Sequence, residues 1–415
     1  MTMAPDVTRR TDCRMCGGQK LQRVLQLEPT PIGDAYVTAE HLDEVQQSYP
    51  IDLHLCLDCG LSQLLDIVAP ELLYRDYIYL TSSSLGLAEH FETYAGNMVT
   101  KFAPDNGNLV VDIGSNDGTL LRCFRDHGMR VLGVDPAEET AAQATRDGVE
   151  TLPEFFTAQL AERICSAHGT ATFVTANNVF ANIDDLEPVI DGIRIVLAED
   201  GVFSFESFYL ADVVQNMVFD FIYHEHLSAF SVKPVQAFFA SRGLELFDLQ
   251  HVPTKGGSIR YFVQRAGATS AVAPVVAEYV AREESMGLYR PDMFLEFSKT
   301  IDSLRTQTVD LLDQYRGQGK KIAGFGASIT GTTLIYHFGL CEYLDYLVDD
   351  NPAKQGRFSP GLHLPVYPGE ALLERQPDCV IILAWRFVDP IVDRYRAYLD
   401  QGGRFLVPVP EVRLI

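Results

Sequence analysis

Four cysteines stand in two pairs of the same form. Cys13-Arg14-Met15-Cys16 is separated by 39 residues from Cys56-Leu57-Asp58-Cys59, and a glycine follows the second cysteine of each pair (Gly17, Gly60). A tight turn aims two thiolates at one ion, and two such turns complete a tetrahedral all-sulfur shell with no position left for a substrate. Cys13, Cys16, Cys56 and Cys59 are therefore expected to hold a structural Zn2+. A redox role is the competing reading of C-x-x-C, but no thioredoxin-like pattern surrounds either pair. The remaining cysteines, Cys123, Cys165, Cys341 and Cys379, are isolated and read as small buried hydrophobes. A second cluster is Tyr223-His224-Glu225-His226, set in the aromatic stretch 209–231. Four adjacent polar groups in an apolar frame are costly to bury, so a use is expected for them. An extended chain would put residues 224 and 226 on one face and 223 and 225 on the other, one histidine lining a cleft and one packing. A surface loop or a second metal site are the alternatives, and no H-E-x-x-H spacing supports the metal.

These groups need elements to position them. From Leu109 the chain runs through an apolar strand pattern, a glycine turn, a helical stretch and a second apolar run, and further apolar runs follow at Ala171 to Ala176 and Val202 to Phe205. That alternation predicts a parallel sheet with crossover helices, with a ligand at the carboxyl edge of its strands. The turn Gly114-Ser115-Asn116-Asp117-Gly118 lacks the G-x-G-x-x-G spacing that a pyrophosphate demands. Asp135, 21 residues beyond Gly114, is placed to accept hydrogen bonds from both hydroxyls of a ribose. An adenosine ligand without a pyrophosphate fits both observations.

Val111-Asp112-Ile113-Gly114-Ser115-Asn116-Asp117-Gly118 and Asp135 resemble the first motif and the second-strand acid of the class I S-adenosylmethionine-dependent methyltransferases. The resemblance implies that Gly114, Ser115, Asn116 and Asp135 bind S-adenosylmethionine, that Phe156 lies near the adenine, and that Asn177 stands beside the methionine moiety. The two C-x-x-C pairs, this core, the Y-H-E-H segment, Lys255-Gly256-Gly257-Ser258-Ile259-Arg260 and a C-terminal G-x-G-A-S unit occur in the order found in the sugar C-methyltransferases of deoxysugar and antibiotic biosynthesis. The chain is similar over nearly its whole length to those acting at C-3' of a TDP-linked 3-amino-4-keto-2,3,6-trideoxy sugar, as in the tetronitrose pathway.

What the resemblance implies obeys ordinary carbonyl chemistry. A base removes the proton beside the ketone, and the resulting enolate carbon attacks the methyl donor. His226 is expected to be the base, Tyr223 the donor to the oxyanion and Glu225 the group that orients the imidazole or binds the sugar, with exchange of the first two roles left open. Tyr77 matches a family tyrosine near the sugar, and Tyr79 and Ser82 to Ser84 share its segment. The family carries a histidine where this chain has Asn182. Asparagine takes up no proton but can donate to a ketone or enolate oxygen, so Asn182 is assigned to substrate binding. Either His226 suffices as base or the chain is a variant altered at this position.

The C-terminal third reads as helices over 270–318 followed by a second α/β unit opening at Lys321. Ile329 stands where a dinucleotide fingerprint needs glycine or alanine, which weakens but leaves open an NAD-dependent oxidoreductase or epimerase as the alternative function. Lys354 and Arg357, on the loop after the next strand, are expected to hold the TDP group, a solvated loop being the other reading. The 415 residues predict two to three domains, taken as a zinc-binding unit at 1–75, a Rossmann-like methyltransferase domain at 76–270 and a second Rossmann-like α/β domain at 271–415 that contributes to nucleotide-sugar binding. A net charge of −23 argues against a nucleic-acid partner, and no apolar run reaches membrane-spanning length. The N-terminal residues lack the apolar core of a leader, so a cytoplasmic protein is expected. Three mutually covering domains give no evident need of a second copy, so a monomer is expected. S-adenosylhomocysteine should raise the melting temperature and NAD should not; a shift with NAD alone would favour the oxidoreductase.

Overall fold

The apolar runs in the middle of the chain form a seven-stranded sheet. Taken across the sheet, its strands are Leu244–Val252, Ser258–Arg265, Leu197–Phe208, Ala171–Asn177, Leu109–Ile113, Arg130–Val134 and Thr151–Leu152. The strands from Leu197–Phe208 to Thr151–Leu152 pair in parallel, whereas Ser258–Arg265 is antiparallel to both its neighbours. Every residue of Leu109–Ile113 is buried, as a central strand covered on both faces requires. The computed structural model describes residues 6–74, 81 and 86–415; Tyr77, Tyr79 and Ser82 to Ser84 lie outside the described residues.

One face of this sheet carries a compact aromatic layer. The Phe205 ring lies 4.7 Å from Phe180 and 4.6 Å from Tyr261, and Phe230 and Phe239 pack against the same group. Phe180 opens the short helical turn Phe180–Asn182, so burying its ring fixes the loop that carries Asn182.

The N-terminal cysteines belong to a four-stranded antiparallel sheet in the order Ser228–Ala229, Ser62–Leu64, Leu53–Cys56, Leu21–Leu25. Its first strand comes from the segment that follows Tyr223–His226, so the sheet of the cysteine unit is completed by the middle of the chain. A third sheet holds Val366–Tyr367, Tyr346–Val348, Ile322–Phe325, Cys379–Ile382 and Phe405–Val407 in parallel, with Arg413–Leu414 antiparallel at its edge. Ahead of the third sheet in the chain come the helices Pro274–Met286 and Pro291–Gly317, each opened by a proline whose missing N–H costs nothing in the first turn. Among the described residues no helix is long and apolar enough to cross a membrane.

Glu283 joins the first of these helices to the rest. Its fully buried carboxylate accepts from the Tyr209 hydroxyl at 2.8 Å, from the backbone N–H of Val232 at 2.7 Å and of Lys233 at 3.2 Å, and from the Tyr289 hydroxyl. Replacing it leaves two hydroxyls and two amides without an acceptor. Glu283→Ala should destabilise the protein by about 3 kcal/mol, read as a lower urea midpoint at unchanged slope.

Candidate active site

At the carboxyl edge of the large sheet lies a cavity of about 450 Å³. Gly114, Asn116, Asp135, Phe156, Asn177 and Asn182 all line it, so residues spread over almost 70 positions of sequence meet around one space. Gly114 has φ +70°, and a Cβ there would collide with Val179, which also lines the cavity. Asp135 is buried, its Oδ2 accepting from Asn116 N–H at 2.8 Å and its Oδ1 from Ala137 N–H at 2.9 Å. One lone pair on each oxygen remains for a diol. Burial raises its pKa and the two amides oppose that shift. Asn116 Oδ1 in turn accepts from Thr81 N–H at 2.9 Å. Asn177 Oδ1 accepts from Glu206 N–H at 3.2 Å, while its buried Nδ2 finds no acceptor among the described residues, an orphan that a ligand carboxylate would satisfy.

The lining departs from the sequence reading at Ser115 and adds Phe155 and Lys255 to it. Ser115 does not line the cavity: its side chain turns into the sheet against Gly133 and Thr151. Phe156, buried against Gly192, lines the cavity as expected, and Phe155, 57% exposed, lines it as well. No periodicity marks an exposed phenylalanine as a cavity residue. Lys255 also lines the cavity, with φ +55°.

The Tyr223–His226 segment is a turn, not an extended strand. His226 N–H donates to Tyr223 C=O at 2.9 Å, which brings residues 223 and 226 to one side, where strand alternation would have separated them. The Tyr223 hydroxyl lies 2.9 Å from His226 Nε2, and the ring centroids are 4.0 Å apart. His226 Nδ1 lies 2.7 Å from Phe221 C=O, which accepts its proton. That bond leaves Nε2 as the acceptor, and the phenol donates to it. Burial lowers the pKa of His226 to about 3, the charge of Lys255 lowering it further and the Phe221 carbonyl opposing. His226 is thus neutral, stacked 4.5 Å from Phe208. Tyr223 and His226 are not in the cavity lining; Lys255 is the charged group common to both places. Glu225 is buried beside them. His224 is the packing histidine: its Nε2 lies 3.1 Å from Tyr49 C=O, and burial lowers its pKa to about 4.

The loop carrying Tyr223 is anchored from the C-terminal unit. Asp220, buried, accepts from Trp385 Nε1 at 3.0 Å and from Arg386 at 3.3 Å, and the Arg386 guanidinium lies 4.4 Å from the Phe221 ring.

The four sulfurs of Cys13, Cys16, Cys56 and Cys59 lie within 4.8 Å of one another, with Cys13–Cys59 and Cys16–Cys56 both at 3.6 Å. A tetrahedral zinc ion with Zn–S of about 2.3 Å sets its ligands about 3.8 Å apart, so the donor set fits one ion. Both turns close in the same way, Gly17 N–H donating to Cys13 C=O and Gly60 N–H to Cys56 C=O, each at 2.8 Å. Between the first two ligands stands Arg14, whose guanidinium donates to Leu227 C=O, to Leu64 C=O at 2.9 Å and to Asp184 Oδ1 at 3.2 Å.

Other expected residues stand elsewhere. Lys354 is buried in an ion pair with Asp34 and lies 4.4 Å above the Tyr36 ring, and Arg357 donates to Tyr36 C=O at 3.4 Å. Both thus hold the segment around residues 34–36 to the C-terminal unit. The crevice that a dinucleotide would enter is filled by the same segment: Gly33 packs on Ile329, and Thr332 Oγ1 donates to Gly33 C=O at 2.9 Å. Ala327 N–H is taken by Asp349 at 2.6 Å and Gly331 N–H by Ser328 Oγ at 3.1 Å, so two of the amides at this turn already have acceptors. The segment around Gly33 thus counts against the NAD alternative.

Asp135→Ala should weaken S-adenosylhomocysteine binding by about tenfold to a hundredfold in calorimetry, the loss of one charge-assisted hydrogen-bonding group, with the fold retained by circular dichroism.

Comparison with known proteins gives the same partition of chemistry. Residues 13–74 match a zinc binding domain family, residues 87–249 a methyltransferase domain family and residues 253–410 the C-methyltransferase C-terminal domain family. The C-methyltransferase NovU of Streptomyces niveus is 35% identical over 412 residues, covering 99% of this chain and 98% of the relative. Among solved structures, the magnesium protoporphyrin IX methyltransferase of Synechocystis with bound S-adenosylhomocysteine is 13% identical, covers 44% of this chain and 84% of its own, and has a TM-score of 0.35. A S-adenosylmethionine-dependent methyltransferase of Clostridium acetobutylicum is 12% identical, with 48% and 96% covered and a TM-score of 0.35. The three families and the full-length relative carry the assignment. Matched along its whole length to one such enzyme, the chain belongs to the S-adenosylmethionine-dependent C-methyltransferases and carries their zinc-binding unit.

Proposed function

We propose that the chain methylates C-3' of a TDP-linked 3-amino-4-keto-2,3,6-trideoxy sugar, and that it does so through an enolate formed by its own side chains. The substrate class comes from the motif order described above. The observation that supports the chemistry is the neutral His226, held between Phe221 C=O and the Tyr223 hydroxyl next to the Lys255 wall of the donor cavity. Units at 1–75, 76–270 and 271–415 would then supply a metal-stiffened wall, the donor site and part of the sugar-nucleotide site.

S-adenosylmethionine supplies an electrophilic methyl group. The protein must remove a proton from C-3', stabilise the negative oxygen that forms at C-4', and hold the carbon in line with the methyl. In the free protein the phenol of Tyr223 donates to His226 Nε2. A ketone oxygen arriving there offers the phenol a better acceptor as charge develops on it, and the phenol's departure frees the Nε2 lone pair for the C-3' proton. The C–H electron pair passes into the enolate, and the new C–C bond forms from that carbon as the methyl leaves sulfur with the sulfur keeping its pair. Lys255 and Asn182, on the cavity wall, supply a positive charge and an amide for the oxygen or the sugar. Tyr223 is more exposed than His226, which favours the exchanged roles as the second reading, the phenol taking the proton and passing its own to His226.

Mass spectrometry of the sugar nucleotide after incubation with S-adenosylmethionine should show one added methylene unit with release of S-adenosylhomocysteine; absence of the shift with both Asn182 and Asn182→His rejects the substrate. His226→Asn should lower kcat by about 100- to 10,000-fold while S-adenosylhomocysteine still binds. Because burial keeps His226 neutral down to about pH 3, the profile of kcat/KM should lack an acid limb at the usual histidine midpoint of about 6.5. For stability the sign is fixed in the same way: the unfolded chain binds the proton near 6.5 and the folded one does not, so stability falls as pH drops below about 6.5.

A further inference from the structure

Arg14 belongs by sequence to the metal turn and by contact to the reaction centre. Its side chain has no exposed surface. One guanidinium nitrogen donates to Leu227 C=O, the residue directly after His226, and the other donates to Leu64 C=O and to Asp184 Oδ1. Asp184 lines the donor cavity two residues after Asn182, and Leu227 C=O also receives Leu64 N–H at 2.9 Å. The two loops joined by this one cation are the ones that carry Asn182 and Tyr223–His226. The cation's own position is set from the cysteine side: Arg14 N–H donates to Gln63 Oε1 at 3.2 Å, and the residues flanking it are bound into the turn closed by Gly17 N–H on Cys13 C=O.

We propose that Arg14 is a positioning residue that transmits metal occupancy of the four-cysteine cluster to the spacing between the donor-cavity loop 182–185 and the turn 223–227. The inference rests on the assignment of Tyr223 and His226 to the reaction. Zinc fixes Cys13 and Cys16, and the backbone between them has little freedom left. The planar guanidinium then reaches four acceptors, Gln63 Oε1 included, in fixed directions, which a lysine ammonium on a flexible stem does not reproduce. A misplacement of about 1 Å between reacting groups costs about a hundredfold in rate, so a contact this far from the methyl group is enough to matter.

Two measurements test it, and the first needs no sugar. Hydrogen exchange is followed on the full chain, zinc-loaded and after chelation. Peptides covering 182–185 and 223–227 should lose protection together with 13–61, while the central strand 109–113 keeps its protection; loss confined to 13–61 overturns the proposal. In the second, zinc-loaded Arg14→Gln and Arg14→Lys should lower kcat by about a hundredfold with the KM for S-adenosylmethionine within twofold of the parent and zinc content unchanged. A normal kcat in Arg14→Gln overturns it. Should Arg14→Gln fail to fold or to keep zinc, Asp184→Asn, which leaves the metal turn intact, is read in its place, and an unchanged kcat there overturns it equally. If the parent chain does not methylate the proposed sugar, the function is refuted, while the exchange result still decides the coupling.

Discussion

A guanidinium taken wholly out of water must be met by acceptors, and the acceptors that meet Arg14 come from three separate parts of the chain: Leu64 in the cysteine unit, Asp184 at the donor cavity and Leu227 beside the Tyr223–His226 turn. Arg14 itself has no exposed surface, so losing these acceptors would strand a desolvated cation, and that requirement holds the three segments in one arrangement. The strand pairing of Ser228–Ala229 with Ser62–Leu64 runs alongside that cation and repeats the constraint in backbone hydrogen bonds. The cysteine unit is thereby tied directly to the cavity-lining loop and to the Tyr223–His226 turn.

The same economy of buried polar groups organises the rest. Asp220 joins the start of the Tyr223 loop to Trp385 and Arg386, and Glu283 joins Tyr209, Tyr289 and the amides of Val232 and Lys233. Glu206, on the strand beside the cavity, meets Arg260 at 2.6 Å and His90 at 2.8 Å, and its carboxyl is held below the usual glutamate range by those partners against the opposing effect of burial. Each of these acids ties separate segments together where an apolar contact would allow sliding, Asp220 to the C-terminal unit, Glu283 and Glu206 to the surroundings of the large sheet. The price of desolvation is met by several donors at once, which makes the geometry specific.

The two Rossmann-like units divide the work unequally. In the central one the glycine at 114 clears space in front of Val179, and the second-strand acid keeps lone pairs free for a ligand. In the C-terminal one the corresponding amides are capped by Ser328 and Asp349, and the segment around Gly33 covers the helix start. The two units share a fold, and they differ in what stands before the first turn: an open cavity in the central one and the packed segment around Gly33 in the C-terminal one.

Local spacing determined a good deal. The two C-x-x-C-G turns bring together a four-sulfur set because each turn is closed by its own backbone, and the strand-turn-helix pattern with Gly114 and Asp135 sets a donor cavity because sequential βα units place their loops on one edge. The apolar runs of the two α/β units marked their central strands within a few residues for the same reason, whereas the antiparallel pair Leu244–Val252 and Ser258–Arg265, the sheet of the cysteine unit and the short edge strands were not foreseen. What spacing could not fix was any contact between distant segments or any departure from regular geometry. Tyr223 and His226 share a side because the chain turns there, Lys354 faces Asp34 across 320 positions, Phe155 lines the cavity as well as Phe156, and Arg14 reaches Leu227 across 213. Such pairings are set by which buried charges and donors can find partners once the sheets have packed, a condition of the whole fold that no stretch of sequence carries by itself.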